Sequence, residues 1–398
     1  MKTAHPVQDE HSASPKAASR LLGVAALCCA GAVAAQPSAG ENSGEMLTID
    51  HYVRHESTVP AMDGQIAQLY VRERVGAGML ARTGAFDDRV VLFVHGAGTP
   101  AEVAFDVPYQ DYSWMGYLAA AGYDVFSMDM TGYGRSTRPS PMNDPCNLST
   151  EQQQPLIPAV LDAPCAPGHA GELTTVASDW DDIDAVVEYL RALRGVERLS
   201  LIGWSLGGPR AGGYAARHPD KVSKIVLLAP AYSADLPAAA PGAPGAPPAA
   251  AMTTQSHADF TSNWDRQVGC ADQYDPGAAA AVWSEMLASD PVGATWGRGV
   301  RRAPRTAVWG WNRDVVGRTR TPMLLVAGAH DAQITPDRVR RLYEDLGSPR
   351  KVLIDLGCAS HNAMWERVHG ELFRASLEWL ESGTVNGMDQ GVLRLGYE

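Results

Sequence analysis

The sequence predicts an α/β protein: a mostly parallel sheet covered by helices on both faces. Three observations predict it. Short continuous apolar runs, such as Arg89–Val94 and Lys224–Leu228, read as strands buried on both sides. They alternate with amphipathic stretches, the clearest over residues 176–193, where Ile183, Val186, Val187 and Leu190 share one side. One run, Leu199–Ile202, leads into Gly203-Trp204-Ser205-Leu206-Gly207 and then a helical pattern over residues 210–218. A strand, a sharp turn and a helix are the setting in which a G-x-S-x-G serine is lifted clear of a sheet edge. Without that setting the motif is an ordinary Gly-rich turn.

Taken in order, the chain opens with Lys2, Lys16 and Arg20 ahead of the apolar run Leu21–Val33. Small residues follow at Ala32, Ala34 and Ala35. A basic start, a short apolar middle and a small-residue end predict a signal peptide over residues 1–35. The run is shorter than the ~20 residues that span a bilayer, and the plainer alternative is a buried N-terminal helix. Residues 36–46 are Gly/Ser/Glu-rich and predict a disordered linker.

Residues 47–230 predict the first part of the sheet. Leu47–Arg54 and Gln65–Arg74, separated by the turn signal Asp63-Gly64, read as an antiparallel pair. Arg89–Val94 runs into His95-Gly96-Ala97-Gly98; a helix over residues 112–121 and a strand over Tyr123–Met128 follow. Residues 137–172 are Pro-rich and read as a long surface excursion near the site. From Ala231 the alternation stops. Ala238–Ala251 is almost wholly Ala, Pro and Gly and reads as flexible or polyproline-like. Residues 231–318 are read as an inserted lid carrying Trp264, Trp283, Trp296, Trp309 and Trp311. Residues 319–381 resume the pattern: strands at Pro322–Ala327 and Lys351–Leu356, helices over 337–346 and 364–380. Residues 382–398 carry no clear signal and are read as a tail.

Composition narrows the function. The apolar and charged fractions, 45% and 20%, are those of a globular protein. The net charge is −12 with no Lys/Arg cluster, which argues against nucleic acid as a partner. Six cysteines less Cys28 and Cys29 leave Cys146, Cys165, Cys270 and Cys358, an even number that predicts disulfides in an exported protein. The expected pairs are Cys146 with Cys165 and Cys270 with Cys358; buried free thiols are the alternative. No C-x-x-C or H-E-x-x-H occurs, so no zinc is expected.

A serine hydroxyl is a weak nucleophile and needs a base held by a carboxylate. In an open α/β sheet such groups collect in loops at the carboxyl ends of strands. Asp331 follows the strand ending at Ala327, and His361 follows the strand ending at Leu356. The order Ser, Asp, His is that of the nucleophile-elbow hydrolases. Asp235, after the strand that follows Ser205, is the substitute acid; His330 is a second histidine in the acid's loop. His369 reads as a surface side chain, and His95 as structural. Backbone N–H groups of Ala97 and Leu206 are the expected donors to an oxyanion.

These motifs resemble the α/β-hydrolase family of the "AB hydrolase 1" type. The resemblance lies in His95–Gly98, Asp129-Met-Thr-Gly-Tyr-Gly-Arg-Ser136, Gly203–Gly207, Gly328–Asp331 and the His361 loop. It covers about residues 60–230 and 318–381. It implies an eight-stranded, mostly parallel sheet, a helical lid after the sixth strand, and no cofactor or metal. Members with Asp at the nucleophile position are dehalogenases and epoxide hydrolases, which Ser205 argues against. The expectation is therefore an exported serine hydrolase, periplasmic or secreted, that cleaves a small-molecule carboxylic ester through Ser205, His361 and Asp331. The lid tryptophans point to an apolar or aromatic substrate, or else form the lid's own core. A peptidase, amidase or lactonase of the same fold is the nearest alternative. A binding protein that kept the fold is the alternative from another class.

Overall fold

The central strands form because each is a short run of β-branched and apolar residues with both faces to bury. All five residues of Val90–Val94 are buried, as are all five of Asp124–Met128 and all six of Met323–Gly328. The computed structural model describes residues 45–80, 84, 86–169, 171–240 and 250–397. The expected signal peptide, nearly all of the expected linker and most of the Ala/Pro tract lie outside the described residues.

The strands are β1 (Met46–Glu56), β2 (Ile66–Gly76), β3 (Val90–Val94), β4 (Asp124–Met128), β5 (Thr174–Thr175), β6 (Leu199–Trp204), β7 (Val222–Leu228), β8 (Met252–Ser256), β9 (Val300–Pro304), β10 (Thr306–Ala307), β11 (Met323–Gly328), β12 (Lys351–Leu356) and β13 (Gln390–Leu395). Nine of them make one sheet in the order β1-β2-β4-β3-β6-β7-β11-β12-β13. β1 pairs with β2 and β2 with β4 antiparallel; every other pairing in the sheet is parallel. The eight strands expected from the sequence are all present. The ninth, β13, comes from the tail that carried no clear signal. It is an edge strand whose residues alternate between exposed and half-buried, so it lacks the apolar density that marks the central strands.

The helix Val176–Arg194 shows why the local signals were readable. Thr175 and Ser178 form a capping box at its start, and Gly195 closes it at φ 67°. Its buried side carries Val176, Trp180, Ile183, Val186, Val187 and Leu190. The last helix starts later than expected, at His369, because residues 363–365 form a separate 3₁₀ turn.

The described residues of the insert, 231–240 and 250–318, pack within the same compact unit as the sheet. They hold the helices His257–Asp265, Pro276–Ala288, Pro291–Ala294 and Arg313–Arg318 and the antiparallel hairpin β8–β9. The excursion 137–172 is tied by Cys146 and Cys165, with Cα atoms 5.3 Å apart. Its Met142, Leu148 and Leu156 share an apolar cluster with Met252, Trp296 and Val300 of the insert. The excursion thus buttresses the hairpin. No helix among the described residues is long and apolar enough to cross a membrane.

Candidate active site

Ser205 leaves β6 at φ 55°, a left-handed conformation that costs a non-glycine residue about 1–3 kcal/mol. The surrounding backbone holds it there. Its N–H donates to Leu228 O at 3.0 Å, and its carbonyl accepts from Gly208 N and Ala231 N at 2.9 and 2.8 Å. The tight crossing also explains Gly203, where a Cβ would fall 2.7 Å from Gly207 O. The chain after the serine departs from the expected helix. It starts as a π turn over Gly208–Gly212 and becomes α-helical only over Gly213–Arg217.

Asp331 and His361 come together from the ends of β11 and β12. His361 Nδ1 lies 2.8 Å from Asp331 Oδ2, and both residues are buried. The other carboxylate oxygen accepts from Gln333 N and Ile334 N, each at 2.8 Å. A carboxylate oxygen accepts, so this hydrogen bond is made by the imidazole tautomer that carries its proton on Nδ1. Trp204 Nε1 donates to His361 O at 2.8 Å and fixes the loop. His361 and Ser205 line one cavity of about 200 Å³.

The loop His95–Gly98 closes the serine's side of that cavity. Gly96 packs so tightly that a Cβ there would lie 2.9 Å from Ser205 Cβ. Ala97 lines the cavity. Among the described residues, neither Ala97 N nor Leu206 N donates to a protein acceptor. His95 is fully buried: its Nδ1 lies 2.7 Å from Gly96 O, and its Nε2 accepts from Met130 N at 3.1 Å. Burial and the nearby Arg210 charge hold its pKa well below the usual histidine value, so it is a neutral structural ring.

Several residues the sequence did not single out hold these loops. Arg210 is fully buried and paired with Asp179 at 2.7 Å, and its Nη1 donates to the carbonyls of His95 and Gly96 at 3.0 Å each. With its carbonyls tied back, the loop keeps its N–H groups available. Burial pushes the Asp179 carboxyl up to about 6, against the pull of Arg210. Glu366 is buried behind His361. It accepts from Ser360 N, Trp264 Nε1 and Gln273 Nε2 at 2.7, 2.8 and 2.9 Å, and so joins the base's loop to the insert. Cys270 and Cys358, with Cα atoms 5.7 Å apart, make a second link there.

The remaining sequence candidates lie elsewhere. Asp235 is exposed in a turn. The His330 ring occupies the space beside Gly269. His369, expected at the surface, is buried: its ring stacks on Tyr112 at 4.1 Å and its Nδ1 lies 2.7 Å from Glu366 O. None of the five insert tryptophans lines the cavity; its tryptophans are Trp204 and Trp365, from the sheet's own loops. Trp264 and Trp283 pack with Phe260, Trp311 packs on Tyr232, and Trp296 sits in the cluster beneath the hairpin. Trp264, Trp283 and Trp311 join the core shared with the sheet, and Trp309 packs against it.

Comparison with known proteins agrees with this architecture. The family described as "alpha/beta hydrolase fold" matches residues 89–368. The chain is 30% identical over 236 residues to a pimeloyl-(acyl-carrier protein) methyl ester esterase of Chromobacterium violaceum, covering 54% of this chain and 82% of that protein. Among solved structures it is similar to a thermophilic esterase from Thermogutta terrifontis, at 16% identity and TM-score 0.49, over 83% of this chain and 98% of that one. It is also similar to a carboxylesterase from Bacillus subtilis, at 15% identity and TM-score 0.49, over 85% and 93%. With most of its length matched to the family, the chain belongs to the α/β-hydrolase fold family and is a hydrolase.

Proposed function

We propose that the protein is an exported serine hydrolase that cleaves a carboxylic ester through an acyl-enzyme. The carrying observation is the 2.8 Å contact between His361 Nδ1 and Asp331, with His361 facing the same cavity as the strained Ser205. Ser205 Oγ attacks the ester carbonyl as its proton passes to His361 Nε2. Asp331 holds the ring and stabilises the imidazolium. The N–H groups of Ala97 and Leu206 receive the oxyanion. Collapse breaks the C–O bond, and the alcohol leaves with the proton from His361. Water then gives its proton to His361 and attacks the acyl-serine; the acyl C–Oγ bond breaks, Ser205 Oγ takes the proton back from His361, and the acid is released. Phe260 and Met286 from the insert and Trp204 and Trp365 from the sheet's side line the cavity and suit a compact apolar or aromatic group. The esterase relative supports ester over amide, and two cysteine pairs at bonding distance accord with an oxidising compartment.

The test is labelling with a fluorophosphonate, followed by hydrolysis of p-nitrophenyl esters of increasing chain length. Labelling of Ser205 with a preference for short acyl chains is expected. Labelling elsewhere, or none, overturns the reading.

A further inference from the structure

The hairpin β8–β9 carries two adjacent arginines with opposite surroundings. Side chains alternate across a strand, so Arg301 and Arg302 face opposite sides. Arg302 is fully satisfied: Nη2 and Nε reach Asp290 at 2.7 and 2.9 Å, and Nη1 donates to Met142 O. Arg301 turns into the active-site cavity with Ala303 and the cross-strand residues Thr253 and Gln255. Its one hydrogen bond is from Nε to Gln255 Oε1 at 2.8 Å, which leaves both terminal nitrogens unused among the described residues.

No carboxylate among the described residues answers this charge. The one ionisable neighbour that favours it is the Tyr133 phenol, and burial pushes the guanidinium down to about 10. It therefore still carries a full charge near neutral pH. Arg301 is half-buried, and a cation without a carboxylate partner that faces the cavity holding Ser205 is a ready site for an anionic group. Its position is also defined. The guanidinium packs against Gly98, where a Cβ would fall 2.5 Å from Nη2 and closer still to Cζ and Nη1. Gly98 has φ 84° and follows Ala97, the expected oxyanion donor.

We propose that Arg301 binds a carboxylate on the substrate, so that the protein acts on half-esters of short dicarboxylic acids; Arg301 and Ser205 share one cavity of about 200 Å³, which sets the short length. The assignment rests on the serine-esterase reading above. Both terminal nitrogens of a guanidinium match the two oxygens of a carboxylate, a fit that lysine cannot reproduce.

The experiment compares monomethyl succinate with methyl levulinate, a neutral ester of similar size, by pH-stat titration. Fluorophosphonate labelling of Ser205 is measured first. The intact protein should favour the charged ester about ten- to hundredfold in kcat/KM, the range of a charge-assisted hydrogen bond. In Arg301→Gln the ratio of the two should fall towards one, and Arg301→Lys should recover part of it. On the unaltered protein, succinate should compete with methyl levulinate, and succinamide, which lacks the charge, should not. This arm needs no variant to fold. A protein that labels but cleaves both esters alike, or in which Arg301→Gln slows both by the same factor, overturns the carboxylate assignment alone. A protein that neither labels nor cleaves overturns the esterase reading, and this inference with it.

Discussion

The cavity has a floor and a roof built on different principles. The floor consists of the loops after β3, β6, β11 and β12, which bring Ala97, Ser205, Gln333 and His361 to the cavity. Each loop is pinned by groups a few ångströms away: Asp331 by two backbone amides, Ser205 by Leu228, and the His95 loop by Arg210. The roof consists of β8–β9 and the helices His257–Asp265 and Pro276–Ala288. It is held by long-range ties: Cys270 to Cys358, Trp264 and Gln273 to Glu366, and Arg302 to Asp290 and Met142. Catalytic geometry must be kept to within a fraction of an ångström, whereas a wall that selects substrates needs only to stay in place. Changes in the floor should therefore appear in turnover, and changes in the roof in stability and selectivity.

The sharpest break of that contrast is in the floor. Ser205→Ala should lose nearly all ester hydrolysis, on the order of 10⁶-fold, the loss a serine protease shows when its nucleophile is removed, with an unchanged melting temperature. Asp331→Asn leaves the imidazole in the wrong tautomer and should cost about 10⁴-fold in kcat. Asp235→Asn, in an exposed turn, should stay near normal. Kinetics of the three with one ester decide it; a dead Asp235→Asn beside a nearly normal Asp331→Asn would move the acid to the loop after β7.

The second prediction strikes the tie between roof and floor. Cys270 and Cys358 are 88 residues apart in sequence, Cys146 and Cys165 only 19. In the chain-entropy model the longer closure contributes about 4–5 kcal/mol and the shorter about 3. Replacing both Cys270 and Cys358 by Ser should thus lower denaturant stability more than replacing the other pair. Equal losses would mean that the roof is held without this link.

The third concerns the arginine pair. Arg302→Met leaves the buried Asp290 without its main partner and should cost about 3–5 kcal/mol of unfolding free energy. Adding Asp290→Leu should restore much of it, because the orphaned charge is gone. Chemical denaturation of the single and double variants gives the coupling directly. Purely additive losses would show that the ion pair does not hold the hairpin.

The same division explains what was legible in the sequence. The floor follows from local rules: a buried parallel strand is a continuous apolar run, and the candidate residues come directly after it. Ser205, Asp331 and His361 could be placed for that reason. The roof follows no such rule. Met252–Ser256 and Val300–Pro304 contain few apolar residues and pair across some forty intervening positions, so nothing local marks them as strands. The tryptophans of the insert left two readings open because an aromatic side chain looks the same in a core and in a pocket. The buried supports, Arg210, Asp179 and Glu366, were missed for a further reason. Each sits among residues that read as an ordinary helix or loop, and an acid in a helix's first turn, like Asp179, looks like dipole compensation. Only tertiary contact tells a buried charge from a solvated one.

The smallest effect expected is a pH dependence confined to the roof. Burial alone would push the Asp290 carboxyl up. The hydrogen bond and charge of Arg302, the charge of Arg138 and the Gly293 N–H outweigh it, and the carboxyl lies below its ordinary range. A carboxyl whose folded pKa is depressed contributes stability that is complete above its unfolded value, near 3.9. That stability is lost as pH falls through the folded value. The intact protein should therefore keep this contribution from neutrality down to about pH 4 and lose it only below. Arg302→Met should reverse the sign. With its main partner gone, burial dominates and the Asp290 pKa rises above the unfolded value, so the variant gains stability relative to the intact protein as pH falls from 7 towards 4. Melting curves of both proteins across that range should converge on acidification. Parallel curves would mean that Asp290 carries the same charge with and without Arg302, and that the roof is held by packing alone.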